Sequence, residues 1–445
     1  MRTIAAISTP LGTGGIAVIR ISGDEAFCVT DKVFKGQGAK RLFEVSANTV
    51  VFGRICDLDG KEIDQVLVSV FRAPHSFTGE DVVEISCHGG ILNTKTILKT
   101  VIEAGATLAD KGEFSKRAFL NGKIDLAQAE GIIDLINAVS EKGADTAVFQ
   151  MEGRLSKEIG GLREVLLNLA AHLEAAADFP EEDIAELAPE VVLATLKEST
   201  NRMEKMLKTA SYGKVLREGL PVAVIGKPNV GKSSILNYLT GEDRAIVTDI
   251  AGTTRDVIEE FVHLGGVPVK LMDTAGIHET DDVVEKIGVQ KSLNAADKAT
   301  FVLAVFDGSK PLDEKDKEVL KLVENRPHAI VLNKCDLGKV VDLDGMEVSA
   351  KNGDGMHKIV DMLVQFAEED VSESENIITN ERHYECLLNC KQAVDRAIES
   401  AEFGMPVDML TVDIQTAIEN LGEITGQTVS QEIVDRVFHN FCLGK

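Results

Sequence analysis

The sequence predicts a multidomain α/β protein: an N-terminal α+β domain, an α-helical domain, and a phosphate-loop nucleotide-binding domain inserted into the helical sequence. Three observations carry that prediction. Gly226-Lys227-Pro228-Asn229-Val230-Gly231-Lys232-Ser233 matches G-x-x-x-x-G-K-[ST], preceded by the strand-like run Val222–Ile225 and followed by helical sequence from Ser234 to Leu239, the context the motif requires. Apolar strands and helices alternate from about 217 to 372, a pattern of mostly parallel order. Helical sequence flanks this block on both sides. With 445 residues the chain is too long for one core and implies roughly two to four domains.

Residues 1–118 form the α+β part. Ile16–Ile19 and Val66–Phe71 are β-rich runs, punctuated by Gly12, Gly14, Gly15 and Gly23. Alternation over Asp81–His88 puts Val83, Ile85 and Cys87 on one strand face and Val82, Glu84, Ser86 and His88 on the other. From 119 to 214 the pattern turns helical: Leu162, Val165, Leu166, Leu169, Leu173 and Ala176 recur at three- and four-residue steps. Pro180, followed by acidic residues, is suited to open a further helix. Within the inserted domain, 217–372, the runs 257–264 and 267–272 around Gly265-Gly266 predict an antiparallel hairpin. The acidic segment 368–375 reads as a solvated boundary, and helical pattern resumes over 380–445.

A formal charge of −25 excludes broad, non-specific phosphate neutralisation as a mode of nucleic-acid binding. Any RNA contact needs a local basic patch or a basic partner. The seven cysteines (Cys28, Cys56, Cys87, Cys335, Cys386, Cys390, Cys442) lack C-x-x-C or zinc-finger spacing, so free thiols in a reducing compartment are expected. The first residues carry no leader-like apolar region and no stretch of 18 apolar residues occurs, so a soluble, cytoplasmic chain with no membrane association is expected.

The inserted domain carries the chemistry. Glycines let the loop turn its N–H groups and a helix N-terminus toward phosphate; Lys232 would reach the β/γ-phosphates and the Ser233 hydroxyl would ligate Mg²⁺. Asp273-Thr274-Ala275-Gly276 lies 41 residues after Lys232 (273 − 232), where Asp273 would hold Mg²⁺ through water and the Gly276 amide would meet the γ-phosphate. Asn333-Lys334-Cys335-Asp336 follows the strand-like Ala329–Leu332. A carboxylate at Asp336 accepts both the N1–H and the 2-amino group of guanine, which adenine cannot satisfy. Ser349-Ala350-Lys351 resembles the loop closing over the guanine oxygen. The nucleotide is therefore GTP, and the loop residues Asn229, Val230, Gly231, Lys232, Ser233 and Ser234 are its phosphate contacts.

Hydrolysis needs a further group. Ras-like enzymes orient water with a glutamine directly after Asp-x-x-Gly, but Ile277 stands there in this chain. Asn229 can help hold a monovalent cation near the β/γ-phosphates, supplying positive charge without an arginine finger. The segment Thr248-Asp249-Ile250-Ala251-Gly252-Thr253-Thr254 is the candidate switch: Thr254 would complete Mg²⁺ coordination, and backbone carbonyls would complete the cation site. Glu279, Asp281, Asp282 and Glu285 all compete, by sequence, to orient water.

Taken with Gly252-Thr253-Thr254-Arg255-Asp256, Ser76-Phe77-Thr78-Gly79-Glu80-Asp81 and the ending Phe441-Cys442-Leu443-Gly444-Lys445, these motifs make the whole chain resemble the tRNA modification GTPase family MnmE (TrmE). The ending differs slightly, with Leu443 where the family usually has Ile or Val. The resemblance implies a Ras-like GTPase domain, stimulated by K⁺ and activated as a homodimer. It assigns K⁺ to Asn229, Thr248, Ile250 and Thr253, Mg²⁺ to Ser233 and Thr254, and water orientation to Glu285. It implies that the N-terminal domain binds a 5-formyltetrahydrofolate-type one-carbon carrier through Arg20, Glu84, Lys123 and Lys445, with Cys442 as a candidate functional thiol. Read without the family, Arg20 and Lys123 are surface cations and Cys87 packs rather than reacts. The family acts with an FAD-dependent partner, GidA or MnmG, to install a (carboxymethyl)aminomethyl-type group at C5 of the wobble uridine of certain tRNAs, which suits an acidic chain that meets tRNA mainly through its partner. The competing expectation is a regulatory or ribosome-assembly GTPase without one-carbon chemistry, which would share the central motifs alone.

Overall fold

The computed structural model describes residues 2–37, 41–178, 188–242, 260–272, 295–368 and 377–445. They belong to two compact units. One takes the chain up to Ile133 with Met151–Gly160 and Gly422–Lys445; the other takes Asp134–Gln150 with Gly161–Leu421.

In the first unit, strands β1 (Ile4–Ile7), β2 (Ile16–Ser22), β3 (Phe34–Gly36), β4 (Thr49–Cys56), β5 (Glu62–Phe71), β6 (Val82–His88) and β7 (Thr107–Leu108) form one sheet, ordered β3-β4-β5-β6-β2-β1-β7. All pairs are antiparallel except β1 with β7. One sheet face is apolar because alternate residues such as Val66, Val68, Val70, Val83 and Ile85 point the same way, and Val29 and Val33 of one helix and Ile97 and Val101 of another join them in a single core. Glu84 stands on the opposite side of the alternation and pairs in register with Arg20 of β2.

The C-terminal tail joins this unit. Phe438 and Phe441 pack with Leu126, Ala129 and Ile133, Ser8 Oγ donates to the Gly444 carbonyl at 3.0 Å, and the Phe114 amide donates to the Lys445 carbonyl at 3.3 Å. Gly444 has φ +91°, and a Cβ there would lie 2.2 Å from the Ile7 carbonyl oxygen. Only glycine fits.

In the second unit, β8 (Leu220–Ile225), β9 (Glu260–Leu264), β10 (Val267–Met272), β11 (Phe301–Asp307), β12 (His328–Asn333) and β13 (Met346–Glu347) form a sheet, ordered β13-β12-β11-β8-β10-β9. It is parallel except for the β9–β10 hairpin, whose rungs run from Leu264–Val267 at the tip to Glu260–Leu271 at the base. Gly265 and Gly266 make the turn with positive φ at both positions, the geometry that matches strand twist. Every residue of β11 is buried; Leu303 and Val305 join a core with Ile235 and Ile359 on one face, and Val302, Ala304 and Phe306 join Val323 on the other. A strand covered on both faces reads as a continuous apolar run, as the sequence shows.

Helices span Leu126–Asn137, Glu141–Met151, Arg154–Asp178, Pro189–Lys208 and Ala210–Glu218, and resume at Glu381–Glu402, Val407–Thr425 and Gln431–His439. The stripe expected on Arg154–Asp178 needs one correction. Leu162, Leu166, Leu169 and Leu173 are buried, but Val165 is 36% exposed, because it sits at the edge of the arc those four residues define. Pro180 and most of 368–375 lie outside the described residues. Among the described residues no helix is long and apolar enough to cross a membrane.

Candidate functional site

The phosphate loop leaves the C-terminal end of β8 and enters the helix Lys232–Glu242, at the strand ends where open parallel sheets hold their ligands. Its two glycines are forced. Gly226 has φ +155° with a would-be Cβ 2.3 Å from the Val305 carbonyl oxygen, and Gly231 has φ +98° with one 2.1 Å from Asn333 Nδ2. Between them Asn229 is a non-glycine residue in the left-handed region, φ 65°, a conformation that costs energy unless its surroundings hold it. Lys232 Nζ donates to the Gly226 and Lys227 carbonyls at 2.8 and 2.9 Å, and burial pulls its ammonium below the ordinary lysine value. Such a cation gains from an anion. Ser233 and Ser234 are exposed at the first turn of the helix.

The guanine loop locks onto this cradle. Asn333, buried at the end of β12, donates through Nδ2 to the Val230 carbonyl at 2.8 Å and accepts through Oδ1 from the Ala350 amide at 3.0 Å. Lys334, also left-handed at φ 67°, donates to the Asn229 carbonyl and to Asp307 Oδ2, both at 2.7 Å. Ser349 Oγ donates to Asp336 Oδ1 at 2.8 Å, which leaves an exposed carboxylate oriented by the neighbouring loop. Asn229, Val230, Gly231, Asn333, Lys334, Asp336, Ser349 and Ala350 are thus brought together; Lys351 is exposed beside them.

Other expected residues fall elsewhere. Thr248, Asp249, Ile250, Ala251, Gly252, Thr253 and Thr254, then Asp273, Thr274, Ala275 and Gly276, and Glu285 with Glu279, Asp281 and Asp282, lie outside the described residues. They belong to the two stretches joined by the β9–β10 hairpin.

Two features escaped the sequence reading. Lys227 turns away from the loop to Asp313 Oδ2 (2.8 Å) and Asp316 Oδ2 (2.6 Å), carboxylates that cap the helix Glu314–Val323; the hydrogen bond from Lys227 holds the Asp313 carboxyl down to about 2. Asp307 closes β11. Its position was visible as a lone carboxylate ending an apolar run, but nothing local points to Lys334.

In the N-terminal unit Arg20 Nε donates to Glu84 Oε1 at 2.8 Å. The guanidinium lies 5.6 Å from the Phe77 ring centroid and 5.7 Å from that of Phe114, inside cation–π range. Arg20 is only 17% exposed, so it is a built-in cation and not a free surface one. The Lys445 ammonium lies within the field of this pair: burial and then the Arg20 charge pull it down, against opposing pulls from Glu84 and Cys442. Lys123 donates to the Pro74 carbonyl at 3.0 Å, and its stem packs on Gly79. The loop between them is pinned from below by Glu80, which accepts from Arg117 Nη1 (2.9 Å) and from Ser22 Oγ (2.7 Å). Phe114 and Arg117 carry no sequence signal, whereas Phe77 lies inside the distinctive Ser76–Asp81 segment.

Cys442 and Cys28 are exposed, and Cys56, Cys87, Cys386 and Cys390 are buried. Burial pushes the Cys87 thiol up, and burial with neighbouring Cys386 drives Cys390 to about 12. Among the described residues no cluster of His, Cys, Asp or Glu is arranged to hold a metal ion.

A glycine-forced phosphate cradle stitched to an Asn-Lys-x-Asp loop at the ends of parallel strands defines a phosphate-loop GTP hydrolase. The family model described as "MnmE helical domain" matches residues 126–442, and "GTP-binding protein TrmE N-terminus" matches 3–123. The chain is 45% identical over 458 residues to the tRNA modification GTPase MnmE of Geobacillus kaustophilus, covering 100% of this chain and 99% of that protein. It is 44% identical over 457 residues to that of Bacillus cereus, with the same coverage. It belongs to the tRNA modification GTPase MnmE family.

Proposed function

We propose that this chain is a K⁺-stimulated GTPase that works as a homodimer and, with an FAD-dependent partner of the GidA (MnmG) kind, installs a (carboxymethyl)aminomethyl-type group at C5 of the wobble uridine of certain tRNAs. The one-carbon unit comes from a 5-formyltetrahydrofolate-type carrier bound by the N-terminal domain. The domain division 1–118, 119–214, 217–372 and 380–445 is part of this reading.

The observation that carries it is the coexistence, in one chain, of a guanine-nucleotide cradle and a separate Arg20–Glu84–Lys445 cluster walled by Phe77 and Phe114. The first supports the GTPase half of the reading and the second its one-carbon half. Asp336 accepts from the guanine edge, and Lys232 meets phosphate oxygens. Asn229 is exposed in the loop, and its side-chain amide oxygen meets K⁺; the exposed Ser233 hydroxyl meets Mg²⁺. When bound, the two cations offset charge that develops on the phosphates. Glu285 orients the attacking water, the task Ile277 cannot perform. At the other site Glu84 accepts from a pterin amino group while Arg20, Lys445 and Lys123 meet the carrier's oxygens.

Wobble nucleosides from cells lacking the gene, measured by mass spectrometry, test the whole reading. Loss of the modified uridine is expected; its persistence, with no redundant enzyme present, rejects the proposal. Equilibrium dialysis with formyl-tetrahydrofolate tests the N-terminal half alone. Saturable binding that fails on Arg20→Ala is expected, and no saturable binding leaves the switch-only alternative.

A further inference from the structure

We propose that Asp307 is a positioning residue for the guanine nucleotide: acting through Lys334, it fixes the phosphate loop at Asn229 relative to the base-recognition loop. The inference rests on the nucleotide site described above and assigns a role to a residue outside its motifs.

Asp307 ends β11 with a side chain only 5% exposed. Its Oδ1 accepts from the Ser309 amide at 3.1 Å and from Ser309 Oγ at 2.6 Å. Its Oδ2 accepts from Lys334 Nζ at 2.7 Å, with Lys310 Nζ more distant at 3.9 Å. Ser309 therefore sets the carboxylate, and the carboxylate sets the ammonium. Burial alone would raise this carboxyl, yet the bonds from Lys334 and Ser309 outweigh it and hold it below the ordinary aspartate value.

Lys334 is the bridge. Its backbone lies in the base-recognition loop, and its ammonium also binds the Asn229 carbonyl at 2.7 Å. Both ends of that bond sit on left-handed, non-glycine residues, a conformation that persists where the surroundings hold it. Without a buried anion beside it, the ammonium would exchange the carbonyl for water, and both loops would relax. The base and the phosphates would then be recognised by two loops with no fixed spacing, so the affinity gained by binding both at once would fall.

The test is a titration of a fluorescent GDP analogue into the full chain with Mg²⁺. Asp307→Asn keeps the shape and removes the charge; about a tenfold loss of affinity is expected. On a Lys334→Met background the same change should cost less than about twofold, because its route is gone. Losses that multiply, or Asp307→Asn binding as tightly as the parent, would overturn the inference. Should Asp307→Asn fail to fold, Ser309→Ala decides by the same cycle: a loss of about threefold that disappears without Lys334, against a loss that persists. Parent protein that binds no labelled GDP removes the site reading itself, and the positioning role with it.

Discussion

The nucleotide site and the Arg20–Glu84 site hold charged groups in place by opposite means. In the first, backbone does the work: Gly226, Gly231, Asn229 and Lys334 are set by φ values and close approaches, and side chains mostly bind carbonyls. In the second, side chains hold side chains: Arg20 to Glu84 between the paired strands β2 and β6, and Arg117 on the helix Glu113–Leu120 to Glu80 in a loop. A backbone-built site tolerates almost no change at a few positions; a side-chain network degrades in graded steps.

Gly231→Ala should show the sharpest form of that contrast. The added methyl would meet Asn333 Nδ2 at 2.1 Å in a left-handed conformation, and we expect at least a 100-fold loss (~2.7 kcal/mol) of GDP affinity by fluorescence titration, with formyl-tetrahydrofolate binding unchanged. Loss of both would show that the two sites share one fold-wide weakness. Glu285→Ala should lower GTP turnover about 100-fold while GDP affinity stays within about twofold; parallel losses would mark Glu285 as structural. Arg117→Met strands the buried Glu80 carboxylate and should destabilise the N-terminal unit by about 3–5 kcal/mol in a denaturant melt, leaving nucleotide affinity intact. Glu84→Gln keeps the strand and should weaken formyl-tetrahydrofolate binding about tenfold by dialysis. An unchanged affinity there would make the Arg20–Glu84 bond a cross-strand staple only.

The smallest effect concerns the thiols. Cys390 ionises at 9.0 when unfolded and about 12 when folded, so the folded chain favours the protonated form. Its contribution to stability is complete below pH 9 and is lost as pH rises toward about 12. At neutral pH a maleimide should label Cys28 and Cys442 first and Cys390 last; early labelling of Cys390 would show that the helix Glu381–Glu402 opens readily.

What the sequence revealed follows the same division. Backbone-built recognition is written in consecutive residues, so the phosphate loop, Asn333–Asp336 and Ser349–Lys351 could be read directly, as could the doubly covered strands and the hairpin. Asp307 could not be, since Lys334 comes 27 residues later and only parallel pairing of β11 with β12 joins them. Phe114 and Arg117 were hidden for the same reason: helix residues whose partners lie on a loop and strand encoded far upstream. Val165 erred in the other direction, an apolar residue with correct spacing but an angle at the margin of its stripe.

The β9–β10 hairpin sets Glu260 directly opposite Leu271. The segment bearing Thr248–Thr254 ends just before Glu260 and the one bearing Asp273–Glu285 begins just after Met272, while Glu260 and Leu271 share a rung. One rung therefore fixes how far apart the chain enters and leaves the hairpin. Lengthening the hairpin by two residues per strand moves its tip and leaves that rung untouched, whereas sliding its register by one residue displaces Glu260 against Leu271.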